Sequence, residues 1–311
     1  MRDRTWLVAL AASLWGTDAL LRKPLAEALP SATVVFWEHL IVVALLLPWV
    51  PRALRALGGL AWSRRLAVVV IGVGSSAVAT ALFTAAFRYG DPVTPLVLQK
   101  AQPVFVLLLA FLLLGERPRA HYLWFAVPAL AGAWLLGFRD PLDVRVSAAV
   151  PALLALGAAA LWAGGTVLGR LVSDDLRPWE VTVLRFTIGL PASAAVVPAV
   201  GAPFLVSWGN APALVLLAVV PGLLALSLYY LGLRATPAAR ATLAELAFPA
   251  TAALIGVGLL GASLTGTQWL GFALLVASVT ALGWRERTGR SRTVVVSPGP
   301  VPARPRPTPA G

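Results

Sequence analysis

Apolar positions along this chain come in long unbroken runs, not in the alternation of a half-buried strand or the narrow stripe of a surface helix. A helix crossing a hydrocarbon core of ~30 Å needs about 20 such residues. Runs near that length occupy 5–21, 31–50, 66–87, 93–114, 121–138, 147–169, 179–200, 212–233, 238–260 and 266–284, with polar or Pro/Gly-rich breaks between them. The pattern predicts an all-α integral membrane protein with ten transmembrane helices. Strands of a membrane barrel would be about 10 residues long with apolar and polar positions alternating, and the sequence has no such stretches. Proline falls inside several runs, at Pro103, Pro128, Pro191, Pro221 and Pro249. A bundle tolerates this because packed neighbours re-satisfy the carbonyls that proline frees. The first run has a basic start and an Ala9-Leu10-Ala11 triplet, like a leader peptide. Its apolar stretch before the triplet is short and the pattern continues to Leu21, so it reads as the first span.

Composition agrees with the pattern. The 311 residues are 59% hydrophobic and 12% charged, where a soluble domain is roughly 25% charged. There is no cysteine, which excludes disulfides and thiolate metal sites, and two histidines, His39 and His121, are too few for a histidine cluster. No metal or cofactor is expected. A net charge of +12 would suggest nucleic acid in a soluble protein. Here it fits basic residues that flank spans and face anionic lipid, so membrane lipids are expected partners and nucleic acid is not.

The loops give an orientation. With ten spans and the N-terminus inside, the inside segments hold 18 basic residues and the outside segments five (Arg22, Lys23, Arg88, Arg139 and Arg145). That asymmetry predicts a multi-pass protein of the cytoplasmic membrane with both termini in the cytoplasm. Residues 285–311, rich in Arg, Pro, Ser and Thr, read as a disordered basic tail that is drawn to anionic lipid.

The chain also repeats itself. "LWGTDALLRKPLAEALPSATVVFWEHLIVVALLLP" from Leu14 resembles "LWAGGTVLGRLVSDDLRPWEVTVLRFTIGLPASAAVVP" from Leu161. "FRYGDPVTPLVLQKAQPVFVLLLAFLLLGE" resembles "LRATPAARATLAELAFPATAALIGVGLLGA". The offset is 147 at Trp15 and Trp162, and 146 at Pro103 and Pro249. Each half therefore has five spans, 5–138 and 147–284. Five is odd, so the second half should enter the membrane in the opposite sense. Inverted repeats build a site between the halves and supply two equivalent conformations.

Trp15-Gly16, Pro30, Pro103-Val104-Phe105 and Leu114-Gly115-Glu116-Arg117 in the first copy carry a family resemblance, as do Trp162, Leu184-Arg185-Phe186, Pro249 and Trp269-Leu270-Gly271 in the second. The repeat resembles the EamA domain of the drug/metabolite transporter superfamily over about 5–284. The resemblance implies a carrier of amino acids, small metabolites or drugs, often an exporter. Three positions depart from the pattern. Glu38 stands where such repeats usually carry the arginine kept at Arg185. Gln102 replaces a glutamate before the proline. Gly261-Ala262 stands where the first copy has Gly115-Glu116.

An ionisable group in mid-span costs roughly 2.5–3.5 kcal/mol on insertion scales, and a chain keeps it when it pairs or works. Candidates for substrate binding or coupling are Asp18, Glu38, Gln99, Lys100, Gln102, Arg185 and Glu245. Shifting Glu38 by 147 gives Arg185, so the pair is expected to meet across the pseudo-twofold axis, as a packing staple, a site, or both. Shifting Gln99 by 146 gives Glu245, which places Gln99, Lys100 and Glu245 in a second polar layer. Lys100 with Gln99 and Gln102 offers donors to an organic ion, and Glu245 is the alternative proton carrier. Asp18 pairs equally well with Arg22 at i,i+4. His39 reads as a packing residue, Glu116 as a helix terminator with interfacial charge, and His121 as interfacial. Trp15 and Trp162 are repeat equivalents deep in their spans, so they either wall a cavity, where a ring face also holds a cation, or simply pack.

The chain has no Gly-Lys-Ser/Thr phosphate loop, no His-Glu-x-x-His and no Gly-x-Ser-x-Gly, so no enzyme activity is expected. The expected function is secondary active transport of a small organic solute, outward, by alternating access, coupled to protons or by exchange. The rival readings are a flippase for a lipid-linked substrate and an intramembrane lipid-modifying enzyme. Substrate, coupling ion and oligomeric state are not encoded in any readable motif.

Overall fold

The computed structural model describes residues 4–17, 20–21, 24–25, 28–86, 98, 101–116, 123–138, 140–143, 149–259, 261 and 263–290. Among them the chain is helical, with no strand. In chain order the helices are α1 (Thr5–Gly16), α2 (Ser31–Gly58), α3 (Trp62–Val69, Val70–Val78 and Ala79–Ala86 in succession), α4 (Gln102–Leu114), α5 (Leu123–Gly137), α6 (Ala149–Val172), α7 (Pro178–Ala199), α8 (Trp208–Leu233), α9 (Ala238–Leu259) and α10 (Gly266–Arg290). Six of these, α2, α3 and α6 to α9, are long and apolar enough to cross a membrane, and the other four contain shorter apolar helices. Each predicted run thus contains helix among the described residues. The tail beyond Arg290, with Asp18, Arg22, Gln99, Lys100 and His121, lies outside them.

Local chemistry shifts several helix ends. The second run was expected to stop near Pro48–Pro51, yet α2 passes through a 3₁₀ turn at Leu47–Trp49 and continues to Gly58. A proline in the first turn of each new segment gives up only an N–H that had no partner there. Pro103 likewise sits in the first turn of α4 and does not break a helix interior. In α9 the half-helix Ala238–Glu245 ends at Leu246 and a second begins at Ala247, so Pro249 falls in the first turn of the latter. Without an N–H, Pro249 cannot bond the Glu245 carbonyl four residues back, and its ring crowds that carbonyl. The helix turns there instead, and Leu246 N–H bonds Leu243 O at 3.2 Å.

Two spans also widen. Val70–Val78 in α3 and Ala218–Leu224 in α8 are wound as π-helix. The offset of 147 maps Ile71 onto Ala218 and Ala77 onto Leu224, so the two wide turns occupy matching places in the two copies.

Packing follows the same exchange. α1 packs on α8 as α6 packs on α3, α1 on α9 as α6 on α4, and α2 on α8 as α7 on α3. α2 meets α7, and α5 meets α10. The largest buried cluster, which includes Val8, Ile71, Leu184, Tyr230 and Leu233, joins α1, α3, α7 and α8. Close approach needs glycine at some crossings. A Cβ on Gly165 of α6 would lie 2.8 Å from Ser75 Cβ of α3, and one on Gly189 of α7 would lie 2.7 Å from His39 Nε2 of α2.

Candidate functional site

Glu38 is the eighth residue of α2, and Arg185 the eighth of α7. At 1.5 Å per residue each is about 10 Å from its helix start. Both face a cavity of about 430 Å³ in the bundle, whose wall also includes Trp15, Gln102, Trp162 and Glu245. Helices of both sequence copies thus contribute to one space. These are six of the nine candidate residues; Asp18, Gln99 and Lys100 lie outside the described residues.

Glu245 stands at the end of the first half of α9, held by three side chains from three other helices. Tyr229 Oη of α8 donates to Oε1 at 2.7 Å, Thr166 Oγ1 of α6 to Oε1 at 3.2 Å, and Gln102 Nε2 of α4 to Oε2 at 3.3 Å. Tyr229 Oη also lies 3.0 Å from Thr166 Oγ1. An ionised carboxylate only accepts, and every neighbour in this set has a hydrogen to give. All three are neutral, so they orient the carboxylate, and no ion pair to it forms among the described residues. Arg185 is oriented by Tyr230, whose Oη accepts from Nη1 at 3.1 Å.

The two deep tryptophans are tied to the wide turns. Trp15 Nε1 donates to Pro221 O at 3.0 Å, within the π-turn of α8, and its ring stacks obliquely on Tyr229 with centroids 5.2 Å apart. In the other copy, Ser75 Oγ of the α3 π-turn donates to Leu161 O at 2.7 Å. The adjacent Trp162 ring meets Phe83 edge-on at 5.2 Å. The π-turns therefore lend a carbonyl or hydroxyl sideways to the helix that carries the tryptophan. Such turns are frequent at functional sites.

Beyond Glu38, Ser75, Trp162, Arg185 and Leu226 a second cavity of about 640 Å³ shares that wall. Through Ser31, Val35 and Thr80 it adjoins a third, of about 260 Å³, which reaches Pro30, Gly201 and Ala202 at the ends of α2 and α7. At the opposite end, contacts tie helices together. Glu116 Oε2 accepts from Ala238 N–H at 2.9 Å, capping α9 from the end of α4. Arg64 pairs with Asp175 at 3.2 Å and donates to Leu171 O at 2.9 Å.

Several of these residues were not picked out by sequence. Tyr229, Tyr230, Thr166 and Ser75 sit in apolar runs where hydroxyls cost little to insert. The available signal was the Tyr229-Tyr230 doublet, half of the four tyrosines in the chain, in mid-run and away from the interfacial belt. Glu116 does more than end a helix. His39 packs as expected: it is buried, with Nδ1 2.8 Å from the Val35 carbonyl and its ring against Phe186 at 5.1 Å. A carbonyl only accepts, so the proton is on Nδ1.

Comparison with known proteins bears on what this cavity serves. The EamA-like transporter family model matches residues 5–138 and again 150–284. The chain belongs to the EamA-like transporter family. This membrane transporter is 31% identical over 284 residues to an uncharacterized transporter, YwfM, of Bacillus subtilis, covering 88% of this chain and 92% of the relative. It is also 31% identical over 285 residues to the riboflavin transporter ImpX of Fusobacterium nucleatum, covering 88% of this chain and 95% of that one. A solved crystal structure with 22% sequence identity covers 94% of the transporter and 100% of its own chain with a TM-score of 0.75, which establishes a shared fold.

Proposed function

We propose that the transporter is a secondary active carrier built of ten transmembrane helices in two inverted five-helix repeats. In this reading it moves a small organic solute across the cytoplasmic membrane by alternating access. The observation that carries it is the central cavity: residues of both copies wall it, adjoining cavities that share its lining extend towards one end of the bundle, and hydrogen bonds and an ion pair tie helices together at the other. The matching π-turns and interchangeable packing pairs support the inverted repeat. By the arginine count the tied end faces the cytoplasm. Export is the direction the family resemblance implies.

A cavity of about 430 Å³ suits a metabolite-sized ligand. Its rings, Trp15, Tyr229 and Trp162, favour a planar group, and Arg185, Glu38 and Gln102 supply charge and hydrogen bonds at its edges. The riboflavin relative fits that description, so riboflavin belongs in the first ligand screen with amino acids, nucleosides and cationic drugs. Glu245, surrounded by neutral donors, is the coupling group: it takes a proton from one side and releases it on the other. A ligand bound only by the folded state stabilises it by about 2.7 kcal/mol at 100 times its dissociation constant, so a thermal-shift screen reveals the substrate class. In proteoliposomes, Glu245→Gln is expected to abolish uptake driven by a pH gradient while sparing substrate exchange. Full gradient-driven uptake by that variant excludes the role.

A further inference from the structure

A groove of about 330 Å³ lies apart from the central cavity, at the tied end of the bundle where α2, α7 and α8 meet. Its rim carries two guanidinium groups from different helices, Arg52 on the extension of α2 and Arg177 at the start of α7, both exposed. Trp49 and Trp179 flank them, and Thr182 and Ser227 also line it. The floor is apolar, formed by Leu46, Val183 and Leu223. These three lie further along their helices from the arginine-rich end than Arg52 and Arg177 do. The groove therefore grades from cationic at the bundle end, past indole rings, to aliphatic towards the membrane interior.

We infer that this groove holds the headgroup of an anionic phospholipid from the arginine-rich leaflet, with one acyl chain laid along Leu46, Val183 and Leu223. Basic pockets between transmembrane helices on the cytoplasmic side bind anionic headgroups. Tryptophan favours the depth at which headgroup meets chain, and guanidinium bonds phosphate oxygens in pairs. The nearest acidic side chain along α7, Glu180, is engaged at its own helix start: its Oε2 accepts from Arg177 N–H at 2.7 Å. Leu223 belongs to the π-turn of α8 and adjoins Gly222, where an added Cβ would lie 3.2 Å from Glu38 Oε1. The acyl chain thus rests against the turn whose other face meets the central cavity.

The test is native mass spectrometry of the full-length, detergent-purified transporter titrated with phosphatidylglycerol, phosphatidylcholine or inorganic phosphate. Wild type is expected to retain phosphatidylglycerol in preference to phosphatidylcholine. An Arg52→Gln/Arg177→Gln variant is expected to weaken phosphatidylglycerol binding about thirtyfold, about fivefold for each arginine. Arg55→Gln/Arg65→Gln, which removes two charges from the same end outside the groove, should leave it unchanged. Equal loss in both double variants, or no loss in the first, overturns the site. Equal retention of phosphatidylcholine overturns the headgroup assignment, and displacement of phosphatidylglycerol by millimolar phosphate assigns the groove to a free anion instead. If the arginine variant does not fold, brominated phosphatidylglycerol in nanodiscs gives a second reading. It should quench wild-type fluorescence more than brominated phosphatidylcholine does, and Trp49→Phe/Trp179→Phe should remove that difference. A difference that persists in this variant excludes the groove.

Discussion

The two ends of the bundle are made from the same repeated sequence and behave differently. At the arginine-rich end, Glu116 closes the start of α9 and Arg64 bridges to Asp175 and Leu171. There α1 and α8 also approach so closely that a Cβ on Gly232 would lie 2.8 Å from Val8 Cγ2. At the other end the adjoining cavities lie between α2, α3 and α7. One sequence difference between the copies falls at the Glu116 cap. Gly115 and Gly261 both end their helices with φ 66°. The residue after Gly115 is glutamate, whereas the residue after Gly261 is Ala262. The glutamate that caps α9 in one copy is thus alanine in the other.

The largest expected effect tests the contrast itself. The chain has no cysteine, so single cysteines report access without background. Thr80→Cys, on the wall of the two outer cavities, should react with a water-soluble maleimide about a hundredfold faster than Thr236→Cys, which is fully buried at the tied end. That ratio corresponds to an opening cost near 2.7 kcal/mol at the closed end. Equal rates would mean the two ends do not differ in solution.

Next in size is the cap. Glu116→Gln removes a charged acceptor from the α9 N-terminus and should cost about 1 kcal/mol. The melting temperature falls by a few degrees, and labelling at Thr236→Cys rises about fivefold. An unchanged labelling rate would separate the cap from the closure. Arg64→Gln should do least. Its pair with Asp175 is 32% and 40% exposed, a setting in which an ion pair contributes about 0.2–1 kcal/mol. A thermal shift larger than that of Glu116→Gln would invert the ranking of the two closures.

The spans were legible because water and lipid differ so sharply: an apolar run of about 20 residues has few alternatives to crossing a bilayer. Charged residues inside such runs stand out for the same reason, and Glu38, Arg185 and Glu245 were visible at once. The repeat then related Glu38 to Arg185 and Gln99 to Glu245. Glu116's partner was hidden because Ala238 is 122 residues away, and a cap looks like any polar residue at a helix end. The break in α9 and the π-turns were hidden because proline and glycine permit such turns but packing decides them. Pro221 lies inside a wide turn, Pro191 inside a regular helix. Sequence alone carries no sign of that difference.

In a π-helix each N–H reaches one residue further back than in an α-helix. Such a turn is slack stored in the coil. Moving it along the helix re-pairs backbone groups one at a time, so a span can lengthen, shorten or rotate without stranding an amide in oil, where each unpaired group costs several kcal/mol. Each half holds one such wide turn, and each packs against a residue of the cavity wall: a Cβ on Gly72 would meet the Arg185 carbonyl, and one on Gly222 the Glu38 carboxylate.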